Sequence, residues 1–174
     1  RRESFGEPIR EVFRAVREIA DAAGEVEILF PVHPNPHVTG PARELLAGHD
    51  RIHLVEPLDY LDLVAALRAA RLVLTDSGGI QEEAPAFGTP VLVLREVTER
   101  PEGVEAGVAR LVGTDRERIL AEALPLLGDP EVHGAMARVA NPYGDGRAGE
   151  RIADILVSEL TGTSRRTEDW EGGS

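Results

Sequence analysis

RLVLTDSGGIQEEAPAFGTPVLVL, residues 71–94, sets the architecture. Leu72 to Leu74 and Val91 to Leu94 are short apolar runs without polar alternation, as expected of strands buried on both faces. Between them, Ile80 to Phe87 reads as a helix. Gly78 and Gly79 stand where the first strand hands over to that helix. Glycine costs backbone entropy, so two in a row at this junction point to a need for bare backbone.

The same alternation continues outward. Upstream, Ile9, Val12, Phe13, Val16, Ile19, Ala20 and Ala23 recur at helical spacing, with Ser4 or Gly6 at the start and Gly24 at the end. Val26 to Val32 reads as a buried strand, closed by His33-Pro34-Asn35-Pro36, and a short helix follows over 38–47. Ile52 to Val55 is the next strand, ended by Glu56-Pro57. Asp59 then caps a helix with Tyr60, Leu63, Val64 and Leu67 on one face. Downstream, Arg110 to Val112 reads as a fifth, short strand. Thr114-x-x-Glu117 is a capping-box pattern ahead of Ile119, Leu120, Ala123 and Leu124, and Pro125 is expected to end that helix early. Asp129-Pro130 starts another helix, Asn141 to Gly146 is a loop, and Ala148 to Leu160 is the last helix. The expected domain is 1–160, an α/β doubly wound parallel sheet, with 161–174 a polar tail anchored by Trp170.

The chain has 174 residues, of which 42% are hydrophobic, enough for one domain with a real core. Aromatics are only 4%, so aliphatic side chains must fill that core. With 19 basic and 31 acidic residues the net charge is −12. That argues against a nucleic-acid or anionic-membrane surface, though it leaves room for one local anion pocket. There is no cysteine, hence no disulfide frame and no thiolate metal site. His37, His49, His53 and His133 show no metal spacing, and no metal is expected. No apolar run reaches about 18 residues and no signal peptide is visible, so the expected setting is cytoplasmic. The chain opens on Arg1 rather than Met and reads as a piece of a longer one.

Doubly wound sheets bind ligands at the carboxyl ends of their strands. Four such ends carry unusual residues: 33–36, 56–57, 75–79 and 95–102. If Gly78 and Gly79 open a helix, their N–H groups and the helix dipole favour a phosphate, and Ser77 adds a hydroxyl. The plainer reading is that Asp76 or Ser77 caps the helix and the glycines make the turn. The stretch is neither GxGxxG nor a P-loop, so no nicotinamide or ATP reading follows. Glu82 and Glu83 are adjacent and diverge by about 100° on a helix, so one of them can reach over the binding edge. A carboxylate there would repel a diphosphate but suits a ribose diol. Arg100 suits a phosphate bidentately, or is a solvated loop residue. His33, held extended before Pro34, is either ligand-facing or a turn residue. Arg1 and Arg2 are expected where a missing first strand would end, at the same edge, or are simply solvated terminal residues.

Together these stretches resemble the non-hydrolysing UDP-N-acetylglucosamine 2-epimerases. RRES at 1–4 is similar to the end of that family's T-x-H-R-R-E-N segment, and PVHPNP at 31–36 to its P-V-H-x-N-P. TDSGGIQEEAPAFGTPVLVLREVTERPE at 75–102 resembles its longest signature nearly throughout, and NPYGDGRA at 141–148 its late loop. The resemblance implies the second Rossmann-like domain of a GT-B-like pair, with the first strand of that domain missing and a resulting edge or gap in the sheet. It also implies that Ser77, Gly78 and Gly79 hold the diphosphate of UDP. Glu83 would take the ribose hydroxyls, Arg100 would face the nucleotide-sugar, and Arg1 and His33 would lie at the cleft. The uracil would rest near Glu56 to Tyr60. The implied reaction interconverts UDP-GlcNAc and UDP-ManNAc without cofactor, in a homodimer. Its acid/base carboxylates belong to the first domain, so no catalytic residue is expected here and the chain alone is expected to be inactive. This sequence departs from the pattern at Ser4, where the family has Asn, and lacks the histidine ahead of Arg1. A GT-B glycosyltransferase domain, a hydrolysing UDP-GlcNAc 2-epimerase and a non-catalytic nucleotide-sugar module are the alternatives.

Overall fold

In the computed structural model, which describes residues 5–172, strands and helices alternate along the chain. The order is α1 (Glu7–Ala22), β1 (Ile28–Pro31), α2 (Pro36–Leu46), β2 (Ile52–Val55), α3 (Tyr60–Ala69), β3 (Val73–Thr75) and α4 (Gly78–Glu83). A 3-10 turn (Ala84–Phe87) leads to β4 (Val91–Val93), α5 (Pro101–Ala106), β5 (Ala109–Leu111), α6 (Arg116–Gly128), α7 (Pro130–Ala137) and α8 (Ala148–Thr161). All strand pairs are parallel. β1 runs beside β2, from Ile28 opposite Ile52 to Pro31 opposite Val55. β4 lies between β3 and β5, with Val91 opposite Val73 and Ala109. The described strands form two ladders, one of two strands (β1–β2) and one of three (β3–β4–β5).

The strand period of two sorts side chains to two faces. Leu72, Leu74, Leu92 and Leu94 join the larger core with Val12, Phe13 and Val16 of α1, Leu46 of α2, Ile119 and Leu126 of α6, and Met136 of α7. Val73, Val91, Val93 and Ala109 point the other way, against Leu63 and Leu67 of α3, Ile80 and Ala84 after β3, and Val104 of α5. The sheet is therefore covered on both sides, the doubly wound arrangement expected from its uninterrupted apolar strands. β4 is its centre: Val91, Leu92 and Val93 are all 0% exposed.

Several local expectations are corrected. The helix over 80–87 is two pieces, because Pro85 has no N–H to continue the α-helical ladder and the backbone tightens to 3-10 from Ala84. The cap of α6 is Asp115, not Thr114: its carboxylate accepts the Arg118 N–H at 2.8 Å. That helix also runs through Pro125 to Gly128. Burial of Ile119, Ala123 and Leu126, each 0% exposed, offsets the one hydrogen bond that Pro125 removes. Tyr60 is 65% exposed rather than on the buried face of α3. Part of the charged stretch after β4 is a helix, α5, which starts on Pro101 and stops at Gly107 with φ 90°. Pro at the first position and Gly just past the last were the signals for it. No helix among the described residues is long and apolar enough to cross a membrane.

Candidate functional site

The turn from β3 to α4 is built from the strand outward. Thr75 is buried and its carbonyl accepts the Leu94 N–H at 2.9 Å, which keeps the strand end in the sheet. Its hydroxyl accepts the Ser77 N–H at 3.0 Å and turns the chain toward the helix. Ser77 is the N-cap, with φ −83° and ψ 129°, but its side chain makes no capping hydrogen bond. The hydroxyl is thus not consumed by the plain capping role. Gly78 and Gly79 are the first two helical residues, whose N–H groups have no acceptor within the helix.

Arg100 arrives at this turn from the loop after β4. A methyl built on Gly78 would lie 3.9 Å from Arg100 Nη2. The guanidinium Nε donates to Glu82, and this bond is the main cause that raises the Arg100 pKa above its ordinary value. Nη1 donates to the Glu99 carbonyl at 3.0 Å. The backbone N–H of Arg100 donates to Thr98 Oγ1 at 3.0 Å, and Thr98 Oγ1 donates to Gln81 Oε1 at 2.6 Å. Arg95, buried two residues past β4, donates through both terminal nitrogens to the two carboxylate oxygens of Glu99. The loop is therefore tied at both ends.

The adjacent acids divide their tasks as their angular separation on the helix requires. Glu82 pairs with Arg100, whereas Glu83 keeps a buried Oε2 with no hydrogen-bond partner. A buried carboxylate oxygen without a donor is costly. A further part of the site was not read from the sequence. Tyr143, in the 141–146 loop, covers Gly103 on α5, and any Cβ on Gly103 would run into the phenol. Burial raises the Tyr143 pKa above its ordinary value. Asn141 shapes the loop by accepting the Tyr143 N–H at 3.1 Å and donating to the Gly144 carbonyl at 3.2 Å. Gln81 and Thr98 were also missed; nothing along the sequence marks them, and only the fold shows Gln81 to be a polar side chain 1% exposed.

His33 sits just past β1 and is exposed. Its Nδ1 accepts the Asn35 N–H at 3.2 Å, and Asn35 caps α2 through the His37 N–H at 2.9 Å. His33 thus shapes the turn and shares no hydrogen bond with residues 75–102 among the described residues. Arg1 lies outside the described residues. Among the described residues, no three His, Asp or Glu side chains form a group that could hold a metal ion.

The fold and this edge define a Rossmann-like α/β domain of the GT-B-like kind, with its ligand edge at the strand carboxyl ends. The chain belongs to the UDP-N-acetylglucosamine 2-epimerase family, whose model matches residues 1–157. A UDP-N-acetylglucosamine 2-epimerase of Salmonella typhimurium is 51% identical over 158 residues, which make up 91% of this chain and 42% of that relative. The S. aureus MnaA–UDP co-structure superposes with a TM-score of 0.90 at 44% identity, over 98% of this chain and 47% of that one. The UDP-GlcNAc 2-epimerase from Neisseria meningitidis, bound to UDP-GlcNAc, superposes with a TM-score of 0.85 at 42% identity, over 91% and 43%. The chain thus spans less than half the length of these relatives.

Proposed function

We propose that this chain is the UDP-binding half of a non-hydrolysing UDP-N-acetylglucosamine 2-epimerase. The whole protein would interconvert UDP-GlcNAc and UDP-ManNAc as a cytoplasmic homodimer. The observation that carries the reading is the placement of Arg100 Nη2 beside Gly78, where the free N–H groups of α4 begin. Backbone donors and a guanidinium that meet at one point suit a diphosphate.

In this reading Ser77, Gly78 and Gly79 hold the diphosphate and Arg100 neutralises it. Glu83 accepts from the ribose hydroxyls. Arg1 and His33 line the cleft. In the elimination, the C2 proton is removed and the C1–O bond to UDP breaks, leaving 2-acetamidoglucal and UDP. In the re-addition, a proton reaches the opposite face of C2 and the C1–O bond re-forms. The role of this half is to stabilise UDP as it leaves and keep it in place for return, which fixed donors do without reorganising. The carboxylates that move the C2 proton belong to the other half, so the chain by itself binds UDP without turnover.

Calorimetric titration of UDP tests this. The folded chain is expected to bind UDP, and Glu83→Ala and Arg100→Ala are each expected to weaken binding by about tenfold or more. A folded chain that ignores UDP, or binding indifferent to both substitutions, overturns the reading.

A further inference from the structure

Gln81 is 1% exposed, yet both ends of its side-chain amide are engaged. Nε2 donates to the Ser77 carbonyl at 3.2 Å, and Oε1 accepts from the Thr98 hydroxyl at 2.6 Å. The same Thr98 oxygen accepts the Arg100 backbone N–H at 3.0 Å. The amide orientation follows from its partners, because only the NH2 end can face a carbonyl. The hydroxyl proton is likewise directed, because Thr98 already accepts from Arg100. A continuous chain of hydrogen bonds therefore runs from Ser77, through Gln81 and Thr98, to the backbone that carries Arg100.

Filling this space does not require an amide, since an apolar side chain would do so without needing partners. Nor do these polar atoms face a ligand, since each is already bonded within the chain. What they define is a separation. The glycine turn comes from β3 and Arg100 from the loop after β4, and a ligand that bridges two such elements binds well only if they are already at the right distance.

We propose that Gln81 and Thr98 are positioning residues that register Arg100 onto the Ser77–Gly79 turn, so that both meet one diphosphate without rearrangement. The proposal rests on the nucleotide-binding reading of this site. Neither residue need touch the ligand; both act through Arg100.

A double-mutant cycle read by UDP calorimetry tests it, with thermal melting as a second readout. Thr98→Val keeps the shape and removes the hydroxyl. It is expected to lower UDP affinity about tenfold, while Thr98→Ser stays within about twofold of the unsubstituted chain. In an Arg100→Ala background, Thr98→Val is expected to add no further loss, because the group it positions is gone. Gln81→Met, similar in volume, is expected to follow the same pattern and provides a second route should Thr98→Val fold poorly. If Thr98→Val and Gln81→Met lower the melting temperature but leave affinity unchanged, or if their losses add to that of Arg100→Ala, the positioning role is wrong while the nucleotide site stands. If the folded, unsubstituted chain does not bind UDP, the site reading fails and this inference with it.

Discussion

The 75–103 edge and the 145–172 end are both rich in charge, but they are held in opposite ways. The edge grows out of β3 and β4, where Val91, Leu92 and Val93 are completely buried, and its polar ties pass through the buried side chains of Gln81 and Arg95. α8 instead leaves Ile152, Leu156, Val157 and Leu160 exposed, Leu160 at 83%. What holds its trailing segment is polar. Asp154 accepts the backbone N–H groups of Arg166 and Thr167, each at 2.7 Å. Arg151 grips both oxygens of Asp145 at 2.8 Å and donates to the Glu168 carbonyl at 2.9 Å. The edge inherits its rigidity from the core, whereas the C-terminal end depends on a few hydrogen bonds and ion pairs. A binding site gains from the first kind of support, because geometry set by packing does not change with solution conditions.

The contrast is broken most severely at β4. Leu92→Ala is expected to cost about 2–5 kcal/mol in denaturant unfolding and to take UDP binding with it. A loss under about 1 kcal/mol would mean that the two faces of the sheet do not share one cooperative core. Gly103→Ala should come next, at about 1–3 kcal/mol, because the new Cβ meets the Tyr143 phenol. Adding Tyr143→Phe removes the closest atom, so the double variant should recover most of the loss. Equal stability of the single and double variants would place the clash elsewhere.

Smaller effects are expected at the C-terminal end. The Thr167 and Arg166 N–H groups and the Thr167 hydroxyl hold the Asp154 carboxyl down from 3.8 to about 2. Because the folded value lies below the unfolded one, this tie is at full strength above pH 3.8 and is lost as pH falls through about 2. The fluorescence of Trp170, the single tryptophan, should therefore change over that acid window. Asp154→Asn should abolish the acid transition, show the altered fluorescence already at neutral pH and speed tryptic cleavage after Arg165 and Arg166, with little effect on UDP binding. An unchanged cleavage rate would show that other contacts hold the segment. Least of all, Leu160→Ser should shift the stability of this chain by no more than about 0.5 kcal/mol. A larger loss would show that α8 is packed in solution more closely than its exposure indicates.

Much of this fold was legible because its signals are local. Apolar runs such as 91–94 mark doubly covered strands, and Asp59, Asp129-Pro130 and Gly78-Gly79 mark helix starts by backbone chemistry that operates within a few residues. Their order alone implied a parallel sheet and placed residues 33, 77–79 and 100 at its carboxyl edge. At Pro125 burial overruled the local rule: α6 continues to Gly128 with Leu126 completely buried. The tertiary structure decided what depends on distant residues meeting. It paired Arg100 with Glu82 rather than Glu83, left a Glu83 oxygen buried without a donor, joined Gln81 to Thr98, and set Tyr143 on Gly103. Such partnerships are settled by which side of a helix faces which loop once the strands align, and no periodicity along the chain encodes that.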